Sequence, residues 1–474
     1  MPAELGGVLG AAGLATVVLA SPRWARLAGL AAWAAGIALL ALELAPDGRP
    51  ELLAAGAVGG LAAGILLAAV FVRLPWLAPM LALACVPVRI PLDVDGDEAN
   101  LLVPLYAVVA GVALALAWRL ARGNGRAREL GPLAWPLAAF VAWSGVTILW
   151  TEDVRQASIQ LLAFYLPFGL LAVWIAGLEW NRRWLGFLAA ELVALAVVFA
   201  AIGAFQWLTR DVFWNPKVIV GNAYAPFYRV NSVFWDPSIY GRFLVLAILA
   251  CLSVVLLAAR ARVLWAAVAA VAAIWIGLVF SFSQSSFAAL IVAVLAAAAV
   301  GWGRRALLAL GATAVVLVSV GFSAPSVREE LRRDLDRATS GRAGLVEHGV
   351  QIAADHPVAG VGLGGFVDAY AERTGLGGEE PRRAASHNTP VTVAAETGVP
   401  GIALFVWLLG SALLVTVRRA SRSFAGRASL IVALSLMAIA VHSLAYDAFF
   451  EDPMSWGYLG LAGLVAAWRG SGDG

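Results

Sequence analysis

The feature that most restricts this chain is a repeated apolar run of about 17–24 residues carrying almost no charge. As a helix, such a run is long enough to cross a hydrocarbon core of about 30 Å. The runs recur along all 474 residues, of which 62% are hydrophobic and 13% charged. Soluble domains carry about 25% charged residues, roughly twice this share. A soluble enzyme, a disordered chain and a fibrous protein are excluded on these grounds. The expected fold class is all-α: a polytopic integral membrane protein with about 12–15 transmembrane helices.

Membrane segments are predicted near 5–21, 27–45, 52–72, 74–92, 101–118, 131–150, 157–178, 185–208, 243–259, 264–282, 286–302, 306–323, 399–417, 429–446 and 456–468. The first run lacks a basic leader and a small-residue cleavage site, so it reads as a retained helix. The connecting loops alternate in charge. One set holds Arg23, Arg26, Arg73, Arg119, Arg122, Arg182, Arg183, Arg260, Arg262, Arg304, Arg305, Arg418, Arg419 and Arg427. The short loops of the other set hold Asp47, Glu51, Asp93, Asp95, Asp97, Glu98, Glu152, Asp153, Asp447, Glu451 and Asp452, with Arg49, Arg89 and Arg155 as their only arginines. Arginine-rich loops stay in the cytoplasm, which fixes the expected orientation. The net charge of +3 is therefore a topology signal and does not point to nucleic acid. Cys85 and Cys251 sit in separate apolar runs, and His348, His356, His387 and His442 lack metal-ligand spacing, so neither a disulfide framework nor a resident metal is expected.

Two loops are much longer than the others, residues 209–242 and 324–398, and both fall on the extracytoplasmic side. Long loops in a compact protein tend to be functional or disordered, so the chemistry is expected there. The chain thus divides into helices 1–208, a first loop 209–242, central helices 243–323, a large loop 324–398 and closing helices 399–474. The first loop mixes Phe213, Trp214, Tyr224, Phe227, Tyr228, Phe234, Trp235 and Tyr240 with Asp211, Lys217, Arg229, Asp236 and Arg242. Such rings serve either as an interfacial belt or as a platform for a sugar's C–H face, with Arg and Asp bonding its hydroxyls. Charges where a chain re-enters the membrane, here Arg229 and Arg242, require a partner or an anionic ligand.

In the second loop, residues 326–342 read as an amphipathic surface helix, and Arg342 marks its junction with the apolar stretch AGLVEHGVQIAAD. An arginine there can hold phosphate bidentately. The following HPVAGVGLGGF contains Gly360-x-Gly362-x-x-Gly365. No strand precedes it, so a dinucleotide fold is excluded. The turn brings backbone close either to a phosphate or to a neighbouring helix. Then SHNTPVTVAAETGVPG places His387 and Asn388 at a membrane boundary. An imidazole titrates near physiological pH and can take a proton from an acceptor hydroxyl.

His387-Asn388, nine residues, then Gly398-x-x-Gly401 resembles the His-Asn motif of bacterial O-antigen ligases. HPVAGVGLGGF is similar to a second element of that ligase and polymerase family, and Arg229 with Asp236-Pro237 to a third. The resemblance spans roughly residues 200–460. One departure stands out: the family's arginine step after the first long loop is here Ser283-Gln284-Ser285-Ser286. The resemblance implies a GT-C-like membrane glycosyltransferase using an undecaprenyl-pyrophosphate-linked glycan donor and a glycan, lipid or protein acceptor, with no metal or other cofactor. It also implies that His387 activates the acceptor, that Arg229 and Arg342 hold the pyrophosphate, and that Arg242, Asn388, Asp236 and Tyr240 assist binding. Ligase and polymerase are not separated by these motifs. A flippase or transporter is the alternative class, resting on the intramembrane acids Glu43, Glu191 and Glu396. A purely structural scaffold would have no use for the Arg, His and aromatic loops.

Overall fold

A computed structural model of the chain describes residues 2–44, 50–94, 97–123, 129–224, 227–257, 260–302, 342–375, 386–421 and 423–468. The apolar runs fold as helices, because only a helix satisfies every backbone group within its own segment in lipid. The N-terminal part holds α1 (Pro2–Leu19), α2 (Arg23–Glu43), α3 (Pro50–Arg73), a short α4 (Leu77–Cys85) and α5 (Val103–Ala121). Next come α6 (Ala134–Thr147), α7 (Val154–Gln160) and α8 (Leu166–Ala176), the last two joined by one π turn, then α9 (Arg182–Thr209) and a short α10 (Pro216–Tyr224). The chain continues through α11 (Pro237–Leu257), α12 (Ala261–Ser281) and α13 (Gln284–Trp302). It ends with α14 (Arg342–Asp355), α15 (Phe366–Thr374), α16 (Thr389–Arg418), α17 (Phe424–His442) and α18 (Pro453–Ala467).

The fold is helical, as expected, and eight of the described helical stretches are long and apolar enough to span a membrane. Three shorter apolar stretches join them: Val58–Arg73, Pro237–Leu252 and Gln284–Val300. The segment expected at 74–92 is corrected. Its helix stops at Cys85, and the chain then turns into an antiparallel hairpin, β1 (Ile90–Val94) with β2 (Asp97–Leu101), in the register Ile90↔Leu101 and Asp93↔Glu98. The Pro-rich step Pro87 to Pro91 removes two backbone donors and ends the helix. Segment 306–323 and the surface helix expected up to residue 341 lie outside the described residues.

At the centre is α8, every residue of which is buried. A helix apolar on all sides belongs inside a bundle, and α8 packs against α18, α5 and α1. The neighbouring α1–α2 pair approaches closely. A Cβ on Gly36 would lie 2.4 Å from Gly10 Cα, so only glycine permits this approach. Above the core, Phe140 stacks on Phe450 at 4.4 Å between centroids, and Trp456 Nε1 donates to Phe450 O at 2.8 Å. These rings fix the turn between α17 and α18.

The bundle has two chemically distinct ends. At one, Arg182 lies over the Phe424 ring at 4.8 Å, and Arg419 donates to the carbonyls of Ala466 and Trp468. Arg26 and Glu129 form a buried ion pair at 2.8 Å, and Arg26 Nε also donates to Val17 O at 3.0 Å. Arg26, counted in sequence as a loop charge, is thus a core residue. The other end gathers the two histidines His387 and His442. Removing one partner of a buried pair strands the other charge, so Arg26→Ala should lower unfolding stability by about 3–5 kcal/mol. Denaturant unfolding in detergent is the check, and a loss under about 1 kcal/mol would mean the pair is hydrated.

Candidate functional site

The site end is organised by the start of α16. Asn388 caps that helix: its Oδ1 accepts Val391 N–H at 3.1 Å, and its Nδ2 donates to Leu444 O at 2.9 Å. Ser386 Oγ accepts Asn388 N–H at 3.0 Å and lies 2.6 Å from Thr392 Oγ1, whose hydroxyl donates to Asp447. Between these two anchored residues stands half-buried His387, with a left-handed backbone at φ +53°. Such a conformation is uncommon outside glycine and holds only where the surroundings dictate it. Asn388 therefore acts as a cap that sets the neighbouring imidazole, and both polar atoms of its side chain are engaged.

Further along α16 the helix kinks at Gly398 (φ +68°). Pro400 has no N–H for Glu396 O, so that carbonyl would be orphaned. The glycine-rich loop supplies the missing partner. Gly362 N–H donates to Glu396 O at 2.9 Å, Val361 N–H to Ala395 O at 2.9 Å, and Val399 N–H to Pro357 O at 2.8 Å. The Glu396 carboxylate in turn accepts the N–H groups of Gly364 and Phe366. A Cβ on Gly360 would sit 2.3 Å from the Glu396 carbonyl carbon. Of the two roles open for this turn, the structure shows close approach to a helix.

The first long loop is more ordered than its sequence suggests. Asn222 brackets Arg229 from both sides, accepting its N–H at 2.9 Å and donating to its carbonyl at 2.8 Å. Arg229 Nε reaches Ser281 O at 3.2 Å, beside the serine cluster that opens α13. Asp236 Oδ1 accepts Ser238 N–H at 2.6 Å at the start of α11. Tyr240 is fully buried and donates to Phe199 O at 3.1 Å, which packs it against α9. The aromatics divide accordingly. Phe234 is also buried, whereas Phe213, Trp214, Tyr224 and Phe227 are exposed.

Arg242 is 2% exposed, and its Nη2 pairs with Asp452 Oδ2 at 2.5 Å. Its Nε and Nη1 have no hydrogen-bond partner among the described residues. Its guanidinium carbon lies 6.0 Å from the Tyr446 ring, which in turn is 5.6 Å from the His442 ring. Where an arginine was expected, Ser285 Oγ meets His442 Nε2 at 3.0 Å and Ser283 Oγ meets Ser286 Oγ at 2.8 Å. The serine step thus joins α13 to α17. Contacts link Arg229, the serines, His442, Tyr446 and Arg242 at the end where Asn388 and His387 lie. Arg342 is the first residue of α14, which packs on α16 where Gly349 faces Val391. Seven residues, about 10 Å of helix, separate Arg342 from that contact.

A small polar cavity of about 30 Å³ lies inside this end, lined by Thr389, Thr392, Glu396, Asp447 and Glu451 among others. That is room for one or two waters, each needing about 10–15 Å³. Burial pushes the Asp447 carboxyl up, against the hydrogen bonds from Thr392 and Thr389. Burial likewise pushes Glu451 up to about 7, with Asp447 adding and Arg89 and Arg242 opposing. His442, Tyr446, Asp447, Glu451 and Asp452 were not picked out in sequence as site residues. Their one signal was density of polar groups in a loop short enough to pass as a simple connector.

Residues 247–406 match the sequence model of the family described as O-antigen ligase. Over that stretch this helical membrane protein is similar to O-antigen ligases, the family whose motifs it resembles. That match contains His387, Asn388 and Arg342, while Arg229, Asp236, Tyr240 and Arg242 precede it. No curated protein matches the chain.

Glu451 gives a pH prediction. Its folded pKa lies near 7 against an ordinary 4.5, so its stabilising contribution is complete below 4.5 and lost as pH rises through about 7. The melting temperature in detergent should fall across that window, and Glu451→Gln should flatten the fall. A variant that keeps the full slope would remove Glu451 as its source.

Proposed function

We propose that the chain is a ligase- or polymerase-like glycosyltransferase acting on a lipid-linked glycan in a membrane, a reading supported by the family match over residues 247–406. We propose, more specifically, that the chain transfers a glycan from undecaprenyl pyrophosphate to an acceptor hydroxyl on the extracytoplasmic face of the bacterial inner membrane. The observation that carries this reading is the placement of His387. It is held in a strained backbone between two anchored residues, at the bundle end that also holds the buried Arg242.

In this mechanism His387 takes the proton from the acceptor hydroxyl, whose oxygen attacks the anomeric carbon from the face opposite the leaving group. The carbon–oxygen bond to pyrophosphate breaks, and the configuration inverts. Charge on the departing pyrophosphate is met by fixed guanidinium groups, which stabilise a developing anion without reorganising. Arg242 supplies the donors left over from its pair with Asp452, and Arg229 and Arg342 extend the cationic set. Asn388 keeps the imidazole in place. With arginines compensating the leaving group, the reaction needs no metal. A polymerase would use the same site with a second lipid-linked glycan as acceptor.

The test is transfer in proteoliposomes with undecaprenyl-pyrophosphate-linked glycan in EDTA. His387→Ala should lower turnover by about 10²–10⁴-fold, the range of a general base, and product chain length separates ligation from polymerisation. Full activity in the variant would remove His387 from the chemistry. Arg242→Gln should lower turnover at least about tenfold, as loss of one charged donor does. An unchanged rate would make Arg242 purely structural.

A further inference from the structure

A cavity of about 560 Å³ runs among α4, α8, α9, α11, α12, α17 and α18, from Pro453 and Met454 beside Asp452 to Leu185 and Phe424 at the arginine end. Its walls are hydrocarbon almost throughout, including Leu185, Gly186, Ala267, Phe424, Gly457 and Leu461. An apolar void of even about 150 Å³ stays dry and takes up apolar ligands, and this one is several times larger. In a bilayer its natural content is a hydrocarbon chain.

One rim of the cavity is cationic. Arg182 lies 4.8 Å above Phe424, which lines the wall. Arg183, Arg260 and Arg262 are exposed at the same end, close in sequence to the wall residues Leu185 and Val263. Glu179 is the acid nearest them in sequence, and it too is exposed. The helices α9, α12 and α17 all begin here, so their positive dipole ends face the same rim. Arg260 precedes α12 without a side-chain cap, leaving that helix's first amides to another acceptor. Trp265 is 70% exposed on α12 at this level, as an indole at a headgroup boundary would be.

We propose that this cavity binds an anionic phospholipid, its acyl chains between the helices and its phosphate held by Arg182, Arg183, Arg260 and Arg262. The donor's polyprenyl tail is the competing occupant. The far end of that tail carries no charge, so a rim of four arginines at the end opposite His387 would have nothing to hold. A phospholipid of the arginine-side leaflet matches both surfaces, since each basic residue near anionic headgroups contributes about 1 kcal/mol. The proposal stands independently of the transfer reaction.

Native mass spectrometry of the full chain, released from nanodiscs of phosphatidylglycerol and phosphatidylcholine, tests it. Wild type should retain phosphatidylglycerol over phosphatidylcholine. The triple variant Arg182→Glu, Arg260→Glu, Arg262→Glu should lose that preference by at least about tenfold. Gly186→Leu with Gly457→Leu should abolish retention, because both glycines line the cavity and a Cβ on either meets nothing within 4 Å. Those leucines point into open space and favour helix, so the variant should melt no lower than wild type. Equal retention of both lipids, retention by the filled variant, or displacement of phosphatidylglycerol by uncharged polyprenol would each overturn the proposal.

Discussion

The site end depends on how the chain repairs a broken helix. Gly398 and Pro400 interrupt α16, and the carbonyls of Ala395 and Glu396 need donors that the helix itself no longer supplies. An orphaned carbonyl inside a membrane protein costs several kcal/mol. The turn from Pro357 to Phe366 supplies those donors from its own backbone and ties the Glu396 carboxylate down with two more amides. Three positive-φ glycines in that turn let its amides face one way. Loop and helix thereby become one rigid body, and the first turn of α16 can present His387 in a fixed place.

Around that body the polar groups form a connected set. Thr389 and Asn388 bind the loop after α17, Thr392 binds Asp447, and Asp452 binds Arg242 on α11. Asp452 also caps α18 through Met454 N–H at 2.8 Å. A cation on α11 is thus positioned by the same loop that positions the histidine. The ring stack of Phe140, Phe450 and Trp456 lies beneath this loop and keeps it from moving independently. Arg242, buried beside one carboxylate, keeps Nε and Nη1 without a hydrogen-bond partner among the described residues.

Much was legible from residue order alone. Apolar runs of the length of Arg182–Thr209 and Ala261–Ser281 have one solution in a bilayer, and both fold as expected. Arginine placement separated the two ends, since Arg182, Arg260 and Arg419 do cluster opposite His387. The reading failed where local pattern and context diverged. Residues 74–92 are apolar enough for a span, but closely spaced prolines turn the chain into a hairpin. Order alone likewise lists Tyr240 with the other loop aromatics, and its place on α11 turns it toward Phe199.

The sequence by itself determined the solvent, the helices and the motif that carries His387. Hydrophobic length and charge placement act locally, so they survive without coordinates. The tertiary structure alone decided which polar groups meet. It placed a serine cluster against His442 and Arg242 against Asp452. It also set the glycine loop against a helix kink and enclosed a hydrocarbon cavity beneath an arginine rim. These contacts join residues from dozens to more than two hundred positions apart. Only the packing angle between helices, not the order of residues, brings such side chains within hydrogen-bond distance.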